Sequence, residues 1–252
     1  MRLGAVTYNV LRDWDVEKII KTLGEIGYEA VELRTTHKHG VEPSLGQEER
    51  LKVRRRFEAS KVRLLSYGTT CEFHSPDAGE RARQVALAKD FVVLAHDTGA
   101  LAVKVRPNGL PKEVPRETTI ANIGACLREL GEFGAGYGVE IWMEVHGAET
   151  QLPQNSAAIL KAANHPNVGA CWNSNPTDVV KGSVKPSFEL LRPYIKSAHI
   201  TELADPSYPW RELFTLLKGA GYDRYTLCEV QESKEPERFL RYYKALWTEL
   251  VR

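Results

Sequence analysis

The sequence predicts an α/β fold, a single (β/α)8 TIM barrel, and three observations carry that expectation. Short apolar runs alternate strictly with longer helical patterns, the signature of a parallel sheet. Eight such units fit into 252 residues, about 31 residues each, the scale of a βαβ unit in a closed barrel. No Gly-x-Gly-x-x-Gly follows the first apolar run. The runner-up, an open doubly wound sheet that binds a dinucleotide, therefore lacks its fingerprint. No linker or low-complexity stretch interrupts the rhythm, so one domain is expected over 1–252.

The units follow in order. LGAVTY (3–8) precedes a helical pattern over 15–27, and AVELR (30–34) precedes one over 47–60. VRLLSYG (62–68) leads to 78–99, and ALAVKVRP (100–107) to 118–138. VEIWMEV (139–145) leads to 155–164, and VGACWN (168–173) to 185–196. SAHITEL (197–203) leads to 210–221, and RYTLCEV (224–230) to 235–250. Gly27, Gly99, Gly138 and Gly221 close helices, where glycine accepts the left-handed conformation that stops them. Asp77 and Asn155 are the expected N-caps, since their side-chain oxygens can accept from the first free amides.

Composition narrows the function classes. With 34 basic and 33 acidic residues the formal net charge is +1, without the basic excess of a nucleic-acid binder. No window reaches 18 apolar residues, so no membrane span is expected. The start, MRLGAVTYNV, enters a strand pattern directly and carries no signal-peptide core. Cys71, Cys126, Cys171 and Cys228 are far apart and form no CxxC pair. Reduced, mostly buried thiols in a cytoplasmic protein are the reading.

In a barrel of this kind, chemistry gathers at the C-terminal ends of the strands. Three predicted strands carry ionisable residues inside apolar runs: Glu144 with His146 in the fifth, His199 in the seventh and Glu229 in the eighth. Any one of these, taken alone, reads as a satisfied core group. Three at matching positions put two carboxylates and an imidazole at one mouth, which is costly without a cation or protons. That donor set suits Mn²⁺, Mg²⁺, Co²⁺ or Zn²⁺. Asn173, at the end of the sixth strand, stands where a fourth ligand is expected.

Lys104 and Arg106 share one face of the fourth strand, and Glu32 and Arg34 one face of the second. Two readings stand side by side: an internal ion-pair network, or contacts from Arg106 and its neighbours to an oxygen-rich substrate. Tyr8, Tyr67 and Trp172 belong to a group of aromatics near strand ends, where sugar faces can stack. Loop residues His37, His39 and His74 read by default as solvated.

The motifs VELR (31–34), MEVHG (143–147), CWNSN (171–175), SAHITEL (197–203) and CEV (228–230) together resemble the xylose-isomerase-like TIM-barrel superfamily. The resemblance spans the chain. It implies a divalent metal held by residues from strands five to eight, which here are Glu144, Asn173, His199 and Glu229. The third and fourth match the resembled pattern in type, as does Glu144, whereas Asn173 replaces an Asp. Asn binds a hard cation through a neutral oxygen only. Pro176 also stands where a His is often found, so the metal is expected to be weaker, held partly by His146, or absent.

The implied function is a metal-dependent isomerase or epimerase acting next to the carbonyl of a ketose. Glu144 and Glu229 would be the catalytic acid and base, and Lys104, Arg106, His146, Tyr8, Tyr67, Trp172 and Glu32 would bind substrate. A lyase, dehydratase or hydrolase using the same site is one alternative, and a non-catalytic or metal-free relative is another. The implied partner is a small carbohydrate, with no nucleic acid, no membrane, and room for a homo-oligomer.

Overall fold

Alternation of strand and helix becomes a closed ring in the computed structural model, which describes residues 1–252. The eight parallel strands are β1 (Arg2–Asn9), β2 (Ala30–Arg34), β3 (Arg63–Glu72), β4 (Ala102–Arg106), β5 (Glu140–Glu144), β6 (Val168–Asn173), β7 (Ile195–Ile200) and β8 (Tyr225–Val230). Each pairs with the next in sequence, and β8 closes on β1. The helices between them are α1 (Val16–Ile26), α2 (Gln47–Glu58), α3 (Ala78–Thr98), α4 (Arg116–Tyr137), α5 (Pro153–Ala163), α6 (Lys185–Leu191), α7 (Trp210–Gly219) and α8 (Pro236–Leu250).

Local chemistry explains where most elements stop. Asp15 and Asp77 cap α1 and α3 by accepting from Lys18 N and Glu80 N. Gly27, Gly99 and Gly138 take left-handed conformations past α1, α3 and α4. Asn155 departs from its expected role. Helix α5 starts earlier, with Pro153 in its first turn, a position that wastes no hydrogen bond. Asn155 is instead fully buried, accepts from Arg116 and donates to Glu149 O. Helix α6 also ends sooner than the pattern suggests, at Leu191, and a 3-10 turn follows over Arg192–Tyr194. Pro193 supplies no N–H to continue the ladder.

Side chains alternate across the strand wall. The outward set, including Val31, Leu33, Val103, Val105, Met143, Trp172, Ala198 and Cys228, joins the main core of 58 buried residues against the helices. The inward set splits by height. Ala30, Ala102, Trp142, Cys171 and Leu227 belong to a separate apolar cluster of 8 residues that fills the lower barrel. Two residues further along the same strands stand Glu32, Lys104, Glu144, Asn173 and Glu229. The period of two thus stacks a polar layer on an apolar floor.

Gly68 on β3 makes room for that layer. A Cβ there would lie 2.7 Å from Glu32 Oε1, and Glu32 is 0% exposed with nowhere to swing. The amphipathic α8 packs on its own barrel, where Tyr243 OH donates to Ile200 O and Trp247 Nε1 donates to Thr226 Oγ1. All four cysteines are free and buried. No helix is long and apolar enough to cross a membrane.

Candidate active site

The C-terminal mouth of the barrel opens into a cavity of about 330 Å³. Its lining includes Lys104, Glu144, Asn173 and Glu229 from the strands and His146 just past β5. A second cavity, about 400 Å³, lies at the opposite end beside Arg54, Lys61 and Arg63. It lacks the converging buried carboxylates and imidazole of the mouth.

His199 sits at the centre of the polar layer, 0% exposed. Its Nδ1 faces Glu229 Oε2 at 3.2 Å and Glu144 Oε1 at 3.6 Å, and its Nε2 faces Glu32 Oε1 at 3.3 Å. Neither ring nitrogen has a hydrogen-bond partner of acceptable geometry, nor has Glu32 Oε1. Buried polar atoms left in that state need an explanation. One candidate ligand atom from each of Glu144, His199 and Glu229 lies within 4.8 Å of the other two. Two carboxylate oxygens and an unpartnered imidazole nitrogen at that spacing fit a divalent cation. They form a candidate metal centre.

Electrostatics supports the fit. Burial opposes ionisation of Glu144, but Lys104 and His199 outweigh it and hold the carboxyl well below its usual range. Glu32 behaves likewise, with His199 and Lys104 overcoming burial. Burial would depress the His199 imidazole, yet Cys171, Glu229 and Glu32 push it well above its ordinary value. Lys104 Nζ donates to Glu144 Oε2 at 2.5 Å and lies 3.9 Å from Glu32 Oε1. Formally, three carboxylates (Glu32, Glu144, Glu229) against one ammonium leave a charge of −2 when His199 is neutral. A divalent cation balances that charge. An Asp at 173 would leave one negative charge in excess.

Residues 20–246 match the family described as Xylose isomerase-like TIM barrel. The chain belongs to that family. Solved structures with the same fold include the D-psicose 3-epimerase of Clostridium cellulolyticum H10, crystallised with D-tagatose. It shows a TM-score of 0.84 and 14% identity, with 100% of both chains covered. The IOLI protein with a bound zinc atom aligns at TM-score 0.82 and 15% identity, over 100% of this chain and 98% of that one. A probable 3-DHS dehydratase, AsbF of Bacillus anthracis, aligns at 0.75 and 14%, over 98% and 99%. No curated protein matches the sequence.

As in other members of the xylose isomerase-like barrel family, the fold is a frame whose function lies in the site it carries. Among the residues expected to form that site, the structure gathers Glu144, Asn173, Glu229, Lys104, Arg106, His146 and Tyr8 around one cavity, with His199 beneath. Asn173 pairs with His199 in the β6–β7 register. Its Nδ2 donates to Asn175 Oδ1 at 3.5 Å. His146 Nδ1 bonds Asn108 Oδ1 at 3.0 Å, held by pairing of the two-residue strands Asn108–Gly109 and Gly147–Ala148. His146 is not one of the three clustered ligand residues. Arg106 is paired with Glu72 at the rim.

Three expected substrate contacts lie elsewhere. Trp172 points outward, packs on Phe188 and donates its Nε1 to Tyr208 OH at 3.1 Å. Tyr67 also points outward, toward Phe91, with its hydroxyl on Thr98 Oγ1 at 2.8 Å. Each sits one residue out of phase with the inward positions of its strand, so neither reaches the cavity. Glu32 lies beneath the cavity, where Ser66 Oγ donates to its Oε2 at 2.8 Å. It joins the internal ion-pair network with Lys104. His39 corrects the solvated default: it is buried, its Nε2 bonds Arg34 O, and its Nδ1 accepts from Val41 N.

The structure adds wall residues that the sequence reading passed over, among them Asn175, Thr201 and Gln231. Each lies two positions past an inward residue: Asn173, His199 or Glu229. Extending the period of two beyond each strand end would have found them. Asp178 was also missed as a site element. It is 1% exposed, and its Oδ2 accepts from Asn175 N at 2.9 Å and Tyr208 OH at 3.0 Å. Burial pushes its carboxyl up to about 7, against the pull of those two donors.

This has a consequence for stability. The fold favours the neutral carboxyl, while the unfolded chain ionises near its ordinary 3.8. The contribution is therefore complete below pH 3.8 and declines as pH rises to about 7. Asp178→Asn should flatten the stability profile over that interval, measured by urea unfolding at each pH. An unchanged slope would show that Asp178 ionises normally.

Proposed function

We propose that this chain is a divalent-metal-dependent isomerase or epimerase acting on a ketose or keto-sugar by proton transfer next to its carbonyl. The observation that carries the reading is His199, unpartnered and buried, facing Glu144 and Glu229 under an open polar cavity. The fold shared with sugar epimerases supports the substrate class by analogy.

Glu144, His199 and Glu229 would hold the cation, with Asn173 as a fourth, neutral donor. Mn²⁺, Mg²⁺, Co²⁺ and Zn²⁺ all suit this set. When bound, the cation supplies Lewis-acid stabilisation of negative charge on substrate oxygens. The side chains do the rest. One carboxylate, Glu144 or Glu229, takes the proton from the carbon next to the carbonyl, and an enediolate forms. The other, which enters the step protonated, gives its proton to the opposite face and so inverts that centre, and proton exchange with solvent resets the pair. Lys104, at the cavity floor, adds a fixed positive charge beside Glu144. Arg106, His146 and Tyr8 position the hydroxyls, and the barrel walls exclude water below.

Incubating candidate ketoses with the Mn²⁺-loaded protein in D2O tests this reading. Deuterium should enter at the carbon beside the carbonyl. Absence of exchange across a broad panel of ketoses would sink it.

Two further results are expected. Metal binding requires a neutral imidazole, whereas Cys171, Glu229 and Glu32 push His199 toward its charged form against the effect of burial. Mn²⁺ uptake near pH 7 should therefore release about one proton and tighten as pH rises. Calorimetry in buffers of different ionisation enthalpy measures this, and no buffer dependence would rule it out. Asn173→Asp adds a charged oxygen to the set and should tighten Mn²⁺ binding by about tenfold. Unchanged affinity in a titration would remove residue 173 from the metal shell.

A further inference from the structure

We propose that Asn175, anchored by Asp178, fixes the direction of the Asn173 amide so that its carbonyl oxygen is offered to the Glu144–His199–Glu229 group. This deepens the metal-centre reading and rests on it. An amide has one end that can bind a cation and one that cannot: the oxygen has lone pairs, whereas the NH2 only donates. A carboxylate has no such asymmetry. Where Asn replaces Asp, something must orient the amide.

The rim after β6 supplies that orientation. Asn173 Nδ2 donates to Asn175 Oδ1 at 3.5 Å, which occupies the amine end and leaves the oxygen for the cavity. Asn175 is itself held at three points. Its Nδ2 donates to Val145 O at 2.7 Å, tying it to the residue after Glu144. Its own Oδ1 takes the Asn173 amine. Its backbone N donates to Asp178 Oδ2 at 2.9 Å. Asp178 is braced by Tyr208 OH at 3.0 Å, and Ser187 Oγ donates to Asp178 O at 2.8 Å. Asp178 thus links the loops after β6 and β7 to helix α6, while Asn175 reaches the end of β5. Both are positioning residues, because they act on the metal group through Asn173.

A metal-affinity cycle at pH 8 tests this. Mn²⁺ dissociation constants are measured by electron paramagnetic resonance for the full chain, Asn175→Ala, Asn173→Asp and the double variant, with thermal melting on each. Asn175→Ala should weaken Mn²⁺ about tenfold, the low end for a group that orients a ligand. In the Asn173→Asp background the same change should shift affinity by less than about twofold, because a carboxylate needs no orientation. Asp178→Asn should weaken Mn²⁺ in the same direction and show the same dependence on residue 173. It provides a second route should Asn175→Ala fold poorly.

Equal losses in both backgrounds would overturn the proposal, since they would mark Asn175 as a general support of the loop. So would no loss in either. A wild-type chain that takes up no Mn²⁺ while Asn173→Asp does would also overturn it, yet leave the carboxylate–histidine centre standing. Failure of both to bind would instead bring down the metal reading, and the orientation role with it.

Discussion

At saturating Mn²⁺, Glu144→Gln should lower the rate of epimerisation by about 10²–10⁴, the usual contribution of a positioned acid or base. The substitution keeps size, shape and an oxygen donor but removes the capacity to carry a proton. Glu229→Gln should have an effect of the same order. The two carboxylates face the same ring nitrogen of His199, at 3.6 and 3.2 Å, and in the proposed reaction each serves one face of the substrate. The pair therefore predicts more than a rate loss. Each single variant should still exchange deuterium into the epimer whose proton its remaining carboxylate handles, and should fail to convert one epimer to the other. NMR of both sugars in D2O reads these outcomes separately. Epimerisation within about threefold of wild type in either variant would remove that residue from the proton-transfer pair.

Lys104→Met should cost about 3–5 kcal/mol of folding stability, as expected when one partner of a buried ion pair is removed. The side chain of Lys104 is 6% exposed, that of Glu144 5% and that of Glu32 0%. Without the ammonium, two carboxylates that are 5% and 0% exposed lose their nearest cation. Methionine matches the aliphatic stem but brings no charge, so packing is largely conserved. A loss of this size is a substantial part of the roughly 5–15 kcal/mol that stabilises an ordinary fold. Mn²⁺ should recover more stability in the variant than in the wild type, because a dication can replace the missing positive charge. Urea unfolding with and without metal measures both quantities. A metal-free loss below about 1 kcal/mol would place the pair among exposed ones that contribute little.

The mismatches between sequence and structure have two causes, strand phase and loop packing. Trp172 and Tyr67 were grouped with the site because they are aromatic and close to strand ends. Strand phase excludes them: Cys171 and Asn173 point inward, so Trp172 cannot. That phase is readable, since the same rule puts Lys104 and Arg106 on one face of β4 and Val103 and Val105 on the other. Asn175, Thr201 and Gln231 were readable by extending the phase past the strands. Burial of Asp178 and His39 was not, because it arises from loops folding over one another. Asp178 is covered only once Tyr208, thirty residues later, arrives at its carboxylate.

The barrel, its eight units and the inward positions of Glu32, Lys104, Glu144, Asn173 and Glu229 are legible in the amino-acid order alone. Those follow from a period of two on strands, a helical period between them, and glycine or aspartate at the helix ends. Tertiary structure alone decided which inward residues meet. Ring closure sets β5, β7 and β8 at heights where Glu144, His199 and Glu229 converge. The same closure sends Lys104 to Glu144 at 2.5 Å, with Glu32 farther off at 3.9 Å. Residues more than eighty positions apart share a site only through strand register, and register is a property of the closed sheet that no local stretch of sequence contains.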